Sequence, residues 1–195
     1  LLHTADLHFS KNADKLQEVV STTDYLLEFA SREHPDCIVI SGDTADQFDG
    51  AIPYGSACAR ALNSFIMSAA DIAPVMIVRG TLSHDKNTPA MLEDLRGRFP
   101  VHVASNVEMV ALMSAGTADA GFCRVADGQM PYPQERCSAI FTLVPSLDKA
   151  GLVGALGGDS IRSGNMQFRE LVHDMFAGFG LINEQLSCPT ILVTH

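Results

Sequence analysis

The run Cys37-Ile38-Val39-Ile40-Ser41-Gly42-Asp43 constrains the fold more than any other stretch of the chain. Its first four residues are apolar, which predicts a strand buried on both faces, as in a parallel sheet covered by helices. Asp43 follows at the carboxyl end of this strand, and Gly42 allows the backbone to turn sharply before it. Because ligands bind at that edge of open α/β sheets, the stretch predicts an α/β fold with a functional site there.

Two other predicted strands end in polar residues of the same kind. A strand at the N-terminus leads into Asp6 and His8, and the apolar strand 75–78 leads into a segment that contains His84 and Asp85. Carboxyl ends of parallel strands meet at one edge of a sheet. The three strand ends are therefore expected to gather carboxylates and imidazoles in one place.

Helices are predicted between these strands. Apolar residues recur at helical spacing from about residue 13 to 32, and a second helix follows Pro53, with an apolar face that starts at Ala57 and ends near Ile72. The order strand, helix, strand, helix, strand implies parallel strands that are joined by right-handed crossovers.

Beyond His84 the pattern changes, and we expect a second, partly antiparallel sheet. A short helix is predicted at 89–98 and a last helix has an apolar face from Phe168 to Phe179. The strands predicted for this half are 101–105, 108–113, 122–126, 138–144 and 190–193. A glycine-rich joint with Gly151, Gly154, Gly157 and Gly158 precedes the last helix.

Composition excludes several classes of protein. With 195 residues, 47% of them apolar, the chain suits one globular domain. No run approaches the roughly 20 apolar residues of a membrane span, so we expect a soluble cytoplasmic protein without membrane contact. The five cysteines contain no CxxC pair, which favours free buried thiols over a zinc finger. The net charge of -10 argues against a broad basic surface for nucleic acid.

The polar residues at the strand ends suit a metal site. A mixed set of carboxylates and imidazoles favours manganese, iron or zinc. Asp6 and His8 are separated by one residue, so in extended geometry both would project to the same side, and Asp43 could bridge to a second ion. Two cations about 4 Å apart can bind a phosphate, activate a water and stabilise an in-line displacement.

These residues resemble a known family. The motifs Asp6-x-His8, Gly42-Asp43-x-x-Asp46 and the segment 80–85 are similar to the first three motifs of calcineurin-like metallophosphoesterases. The opening Leu2-His3-Thr4-Ala5-Asp6-Leu7-His8 resembles, more narrowly, the start of SbcD-type DNA nucleases. The resemblance implies a two-sheet β-sandwich flanked by helices, α/β/β/α, in one domain that spans 1–195. Because Leu1 already lies in the first predicted strand and His195 directly follows an apolar run, we expect this domain to be truncated at both ends.

The resemblance also implies two divalent metal ions. These are expected to be Mn²⁺, with Mg²⁺, Fe²⁺ or Zn²⁺ as alternatives. Asp6 and His8 would bind one ion, Asp43 would bridge both, and His195 would bind the other, because the run 191–195 resembles the family's next metal-binding strand end. Ser83 takes the position of the family's usual Asn ligand, and a hydroxyl is a weaker ligand. The closing Gly-His-x-His of the family does not occur before the chain ends.

Catalytic roles follow from the same resemblance. His84 would donate a proton or a hydrogen bond to the phosphate and to the leaving oxygen without binding metal, and Asp85 would hold its ring. Asp46 is expected to support the site rather than to bind metal.

Three functions remain open at this point. The first is DNA cleavage by an SbcD-like exonuclease or endonuclease subunit, with an SbcC-like SMC-type ATPase as partner and a homodimer as assembly. The second is a phosphatase or phosphodiesterase for small nucleotides or phosphoproteins, and the third is a non-catalytic scaffold with a degraded second metal site. Taken singly, each motif also has a plain structural explanation, such as Asp6 as a helix N-cap.

Overall fold

The computed structural model describes residues 1–46, 52–86, 88–125, 134–149 and 161–195. The described part contains eight strands: β1 (Leu2–Thr4), β2 (Ile38–Ser41), β3 (Val75–Val78), β4 (Val101–Ala104), β5 (Glu108–Met113), β6 (Gly121–Arg124), β7 (Cys137–Val144) and β8 (Thr190–Thr194). It also contains four α-helices: α1 (Ala13–Glu33), α2 (Ala57–Ile72), α3 (Thr88–Leu92) and α4 (Ile161–Asn183). The predicted glycine-rich joint lies outside the described residues.

The first sheet is parallel and has the strand order β1-β2-β3-β4. Every residue of β2 and β3 is buried, as the apolar run at 37–40 predicts. The alternation of strand and helix over the first half is therefore confirmed. The assignment of the strand at 101–105 to the second sheet is wrong, because β4 pairs in parallel with β3, Val75 opposite Val101.

The second sheet has the order β6-β5-β7-β8. Strand β5 runs antiparallel to β6 and β7, whereas β8 runs parallel to β7. The expectation of a second, partly antiparallel sheet is confirmed for these four strands.

Three apolar clusters arrange these elements in layers. Ile40 and Ile77 face α1 and α2, whose Leu62 packs into the same cluster. The alternate residues of β2 and β3 point to the other side of the sheet, where Val39 packs with Phe141 of β7. The outer face of the second sheet packs against the end of α4. The molecule is thus mixed α/β with helices on both outer sides of two stacked sheets.

Helix α4 covers its sheet only partly. The apolar face from Phe168 to Phe179 is typical of a core helix or of a partner-facing one, and we expected the core; none of the described side chains of this helix is buried. Phe179 and Ile182 pack against the outer cluster, while Leu181 is 64% exposed. The end of the helix therefore supplies its main attachment to the second sheet.

The N-terminus of α1 excludes the plain structural explanation for Asp6. Asn12 is the N-cap, and its Oδ1 accepts hydrogen bonds from the backbone N–H groups of Asp14 and Lys15. Asp6 is thus available for another role.

None of the described helices combines the length and the apolarity that crossing a bilayer requires.

The cysteines follow the expectation only in part. Cys37 and Cys58 are buried, but Cys123 is exposed, and Cys137 and Cys188 are half-buried. The sulfur atoms of the last two lie 3.3 Å apart as free thiols.

Candidate metal centre

The chain segments after β1 and β2 run side by side. The backbone N–H of Asp6 donates to the carbonyl of Gly42 at 3.1 Å, and that of His8 donates to the carbonyl of Asp43 at 3.0 Å. Phe9 then pairs with Ala45 in a parallel bridge. This pairing places the two N-terminal side chains beside Asp43, as the convergence of strand ends predicts.

The backbone at these three residues is left-handed. The φ angles of Asp6, His8 and Asp43 are 55°, 51° and 49°, and Gly42 has φ 79°. Non-glycine residues adopt such angles rarely and at a cost of about 1 to 3 kcal/mol, and they cluster at functional sites. The extended geometry expected for Asp6 and His8 is therefore wrong, although the two side chains do meet.

The left-handed turns bring carboxylates and an imidazole together. Ligand atoms of Asp6, His8 and Asp43 all lie within 4.8 Å of one another. Nε2 of His8 is 3.9 Å from Oδ1 of Asp6. Asp43 is buried, whereas Asp6 is exposed, so the group opens from the sheet edge toward solvent. Oxygen and imidazole donors in this arrangement fit Mn²⁺, Fe²⁺ or Zn²⁺.

Two glycines are needed for this close approach. A Cβ on Gly80 would collide with the backbone N and Oδ1 of Asp43. A Cβ on Gly42 would collide with the imidazole ring of His195. The loop after β3 and the end of β8 therefore press against the end of β2, and any larger residue would separate them.

His195 reaches the group from the second sheet. Its Nδ1 lies 2.8 Å from the carbonyl oxygen of Ser41, which can only accept, so Nδ1 carries the proton. In the neutral ring Nε2 then presents a lone pair to Oδ2 of Asp43, 3.4 Å away. A metal ion between these two atoms could accept a lone pair from each of them. The geometry suits the metal role predicted for His195.

Asp43 is held by a residue that sequence reasoning missed. Its Oδ1 accepts hydrogen bonds from the backbone N–H of Thr81 at 2.7 Å and from the Thr81 hydroxyl at 3.0 Å. Oδ2 stays directed at His195. The position of Thr81 directly after Gly80 at a strand end is the signal that could have indicated it. Thr81 fixes the orientation of the carboxylate that is expected to bridge two ions.

Ser83 lies one step further from the group. It is exposed, and its hydroxyl is 3.1 Å from that of Thr81, which in turn contacts Asp43. The described contacts join Ser83 to Asp43 through Thr81. Its role as a weak metal ligand stays a prediction.

Asp85 does not hold the ring of His84, so that expectation is wrong. Its carboxylate accepts hydrogen bonds from the backbone N–H groups of Thr44, Ala45 and Gly80 and from the hydroxyl of Thr44, at 2.7 to 3.2 Å. Both oxygens are thus used by the loops after β2 and β3. Asp85 is 1% exposed and joins these two loops.

His84 nevertheless lies at the site. Its ring meets that of His8 edge to face, with the ring centroids 4.7 Å apart. Its Nδ1 is buried and has no hydrogen-bond partner among the described residues. Ligand atoms of His84, His8 and Asp46 form a second group within 4.8 Å, and Asp46 also accepts a hydrogen bond from the Ser10 hydroxyl. The two groups share His8.

The structure thus brings together Asp6, His8, Asp43 and His195, with His84 beside them, whereas Asp85 serves the loops. Their roles in metal binding and catalysis stay predictions. Comparison of the chain with protein-family models gives no matching family, and comparison with curated protein sequences gives no match.

Proposed function

We propose that this chain is a metal-dependent phosphodiesterase with a metallophosphoesterase fold, and that it hydrolyses DNA as an SbcD-like nuclease subunit. One observation carries the proposal: Asp6, His8, Asp43 and His195 meet at one sheet edge although they come from three strand ends and two sheets. The motifs that these residues form in the sequence support the same assignment.

The donor set fits two divalent cations, with Mn²⁺ as the first expectation. Asp6, His8 and Asp43 would hold one ion, and Asp43 with His195 would hold the other. When bound, such ions activate a water and neutralise the charge of a phosphodiester. The hydroxyl of Ser83 is the weakest candidate donor of the set.

The side chains of the chain would position and protonate the substrate. Thr81 and the carbonyl of Ser41 hold Asp43 and His195 in fixed orientations, which lowers the cost of assembling the site. His84 stands next to His8 and would donate a proton or a hydrogen bond to the leaving oxygen. An SbcC-like ATPase and a second copy of the chain are the partners that the resemblance implies.

The proposal is tested with two substrates. We expect the protein to cleave duplex DNA ends in the presence of Mn²⁺, and to lose this activity and Mn²⁺ binding in Asp43→Asn. Asp24→Asn, which removes an exposed carboxylate from α1, is the matched control and is expected to behave as wild type. Hydrolysis of a small aryl phosphodiester without cleavage of DNA would contradict the nuclease assignment.

That outcome would favour the second candidate, a phosphodiesterase or phosphatase for small nucleotides. The net charge of -10 supports this candidate, because an acidic surface repels a nucleic-acid backbone. The third candidate, a scaffold with one metal site, is supported by Ser83. Calorimetric titration with Mn²⁺ separates it from the enzymes, since a scaffold would bind one ion weakly and turn over neither substrate.

A further inference from the structure

A cavity of about 290 Å³ opens where β3, β4 and β7 end. Residues that follow β3, β4 and β7 line it, and among them are Arg79, Ser105, Asn106, Ser146 and Asp148. Arg79 directly precedes Gly80, whose Cα lies against Asp43. One peptide unit, about 3.8 Å between Cα atoms, thus separates the cavity wall from the loop that packs on the centre.

Two backbone hydrogen bonds and one side-chain hydrogen bond hold Arg79 on this wall. Its backbone N–H donates to the carbonyl of Ala104 at 3.0 Å, and its own carbonyl accepts from the N–H of Ser146 at 3.1 Å. Nη2 donates to the carbonyl of Ser146 at 3.3 Å. Three contacts from two neighbouring segments therefore hold the arginine before any ligand arrives.

One donor of this guanidinium is left over. The Nε of Arg79 is buried and has no hydrogen-bond partner among the described residues. Buried donors of charged groups are costly when they stay unpaired, and nearly all of them in folded proteins have an acceptor. Because Nε has almost no accessible surface, a ligand in the cavity would meet the guanidinium through its terminal nitrogens, and Nε would gain an acceptor only if the wall shifted.

We propose that the Arg79 cavity binds a phosphodiester group of the nucleic-acid substrate next to the group that is cleaved. This inference rests on the proposed function and names a binding residue for it. A guanidinium presents several donors in a planar fork that matches phosphate oxygens. Ser105 and Asn106 also line the cavity, and their side chains are of a kind that can donate hydrogen bonds without adding charge.

The presence of Asp148 on the wall narrows the class of ligand. A carboxylate repels a phosphomonoester, which carries nearly two negative charges at neutral pH, more strongly than a diester, which carries one. The cavity therefore favours an internal phosphate of a chain over a terminal phosphate or free inorganic phosphate.

Direct binding tests this without catalysis. A fluorescent oligonucleotide is titrated into wild-type protein, Arg79→Gln, Arg79→Lys and Arg32→Gln in EDTA at several salt concentrations. Arg32 is an exposed arginine at the end of α1, paired with Glu33, and serves as the matched control. We expect Arg79→Gln to weaken binding roughly tenfold and to lower the salt slope by about one. The affinity of Arg79→Lys should lie between those of wild type and Arg79→Gln, because lysine keeps the positive charge but lacks the planar guanidinium.

Kinetics give the second measurement. Arg79→Gln should lower kcat/KM for the oligonucleotide roughly tenfold and leave a small aryl phosphodiester unchanged, since that substrate has no neighbouring phosphate. Equal losses on both substrates, or wild-type oligonucleotide binding by Arg79→Gln, would overturn the inference. If wild type bound DNA through Arg79 but did not cleave it, the nuclease proposal would be wrong, and the inference that the Arg79 cavity binds a phosphodiester would still hold.

Discussion

Hydrogen bonds to single atoms set the orientation of His195 and Asp43 at the candidate metal centre. The proton on Nδ1 of His195 is fixed by a carbonyl, and this directs the other ring nitrogen at the Asp43 carboxylate. Thr81 likewise uses one carboxylate oxygen and leaves the other free for a cation. For His84, whose Nδ1 is buried and unpaired among the described residues, two roles compete: proton donor, or ligand in a group with His8 and Asp46.

Substitution of His84 separates these roles. In His84→Ala we expect kcat to fall by roughly 10² to 10⁴, the usual contribution of a positioned acid, while the affinity for Mn²⁺ stays unchanged. Steady-state kinetics and calorimetry measure the two quantities. His173→Ala removes an exposed histidine on α4 and should change neither. A loss of Mn²⁺ binding in His84→Ala would show that this histidine is a ligand.

At the scale of elements, the site depends on two loops that are joined by a buried carboxylate. Four hydrogen bonds end on Asp85, three from backbone N–H groups and one from a hydroxyl. They tie the loop after β2, which carries Asp43, to the loop after β3, which carries Thr81 and His84. Asp85 therefore acts on the centre through the backbone.

Asp85→Asn tests this connection. An amide places an N–H₂ group where one carboxylate oxygen accepts, so we expect the free energy of unfolding to fall by at least about 2 kcal/mol. Urea denaturation measures the loss, and Asp24→Asn on the exposed face of α1 should stay within about 0.5 kcal/mol of wild type. Native stability of Asp85→Asn would contradict the role of Asp85 in joining the two loops.

Over the whole molecule, an apolar layer joins the two sheets. Cys37, at the entry to β2, lies within it beside Val39 and Met76. Burial raises the pKa of the Cys37 thiol from 9.0 to about 12. The unfolded chain therefore loses this proton at a lower pH than the folded chain does.

At alkaline pH, the free energy of unfolding should depend on the burial of Cys37 in that layer. The contribution of Cys37 is fully present below pH 9 and is lost as the pH rises toward 12, with a slope of up to about 1.4 kcal/mol per pH unit. We expect Cys37→Ala to be less sensitive to pH than wild type over this range, as measured by urea denaturation. Cys123→Ala, which changes an exposed thiol, should keep the wild-type slope. Parallel curves for Cys37→Ala and wild type would contradict the argument.

The sequence predicts the gathering of strand ends because apolar runs followed by Asp, Gly and His are local patterns. Other features depend on contacts that no local pattern carries. The sequence of β4 does not indicate which sheet the strand joins. Left-handed backbone is usually indicated by glycine, and neither Asp6 nor His8 is a glycine. The partners of Asp85 and the role of Thr81 follow from which loops meet after two crossovers.

The candidate ligands come from both sheets, since Asp6, His8 and Asp43 follow strands of the first sheet and His195 follows β8 of the second. A cation shared by Asp43 and His195 would therefore cross-link two layers that otherwise adhere through apolar side chains. Its binding energy would add to the cohesion of the sandwich, by about 2.7 kcal/mol at a concentration one hundred times Kd. Removal of this cation by a chelator would then lower the free energy of unfolding as well as abolish the proposed activity.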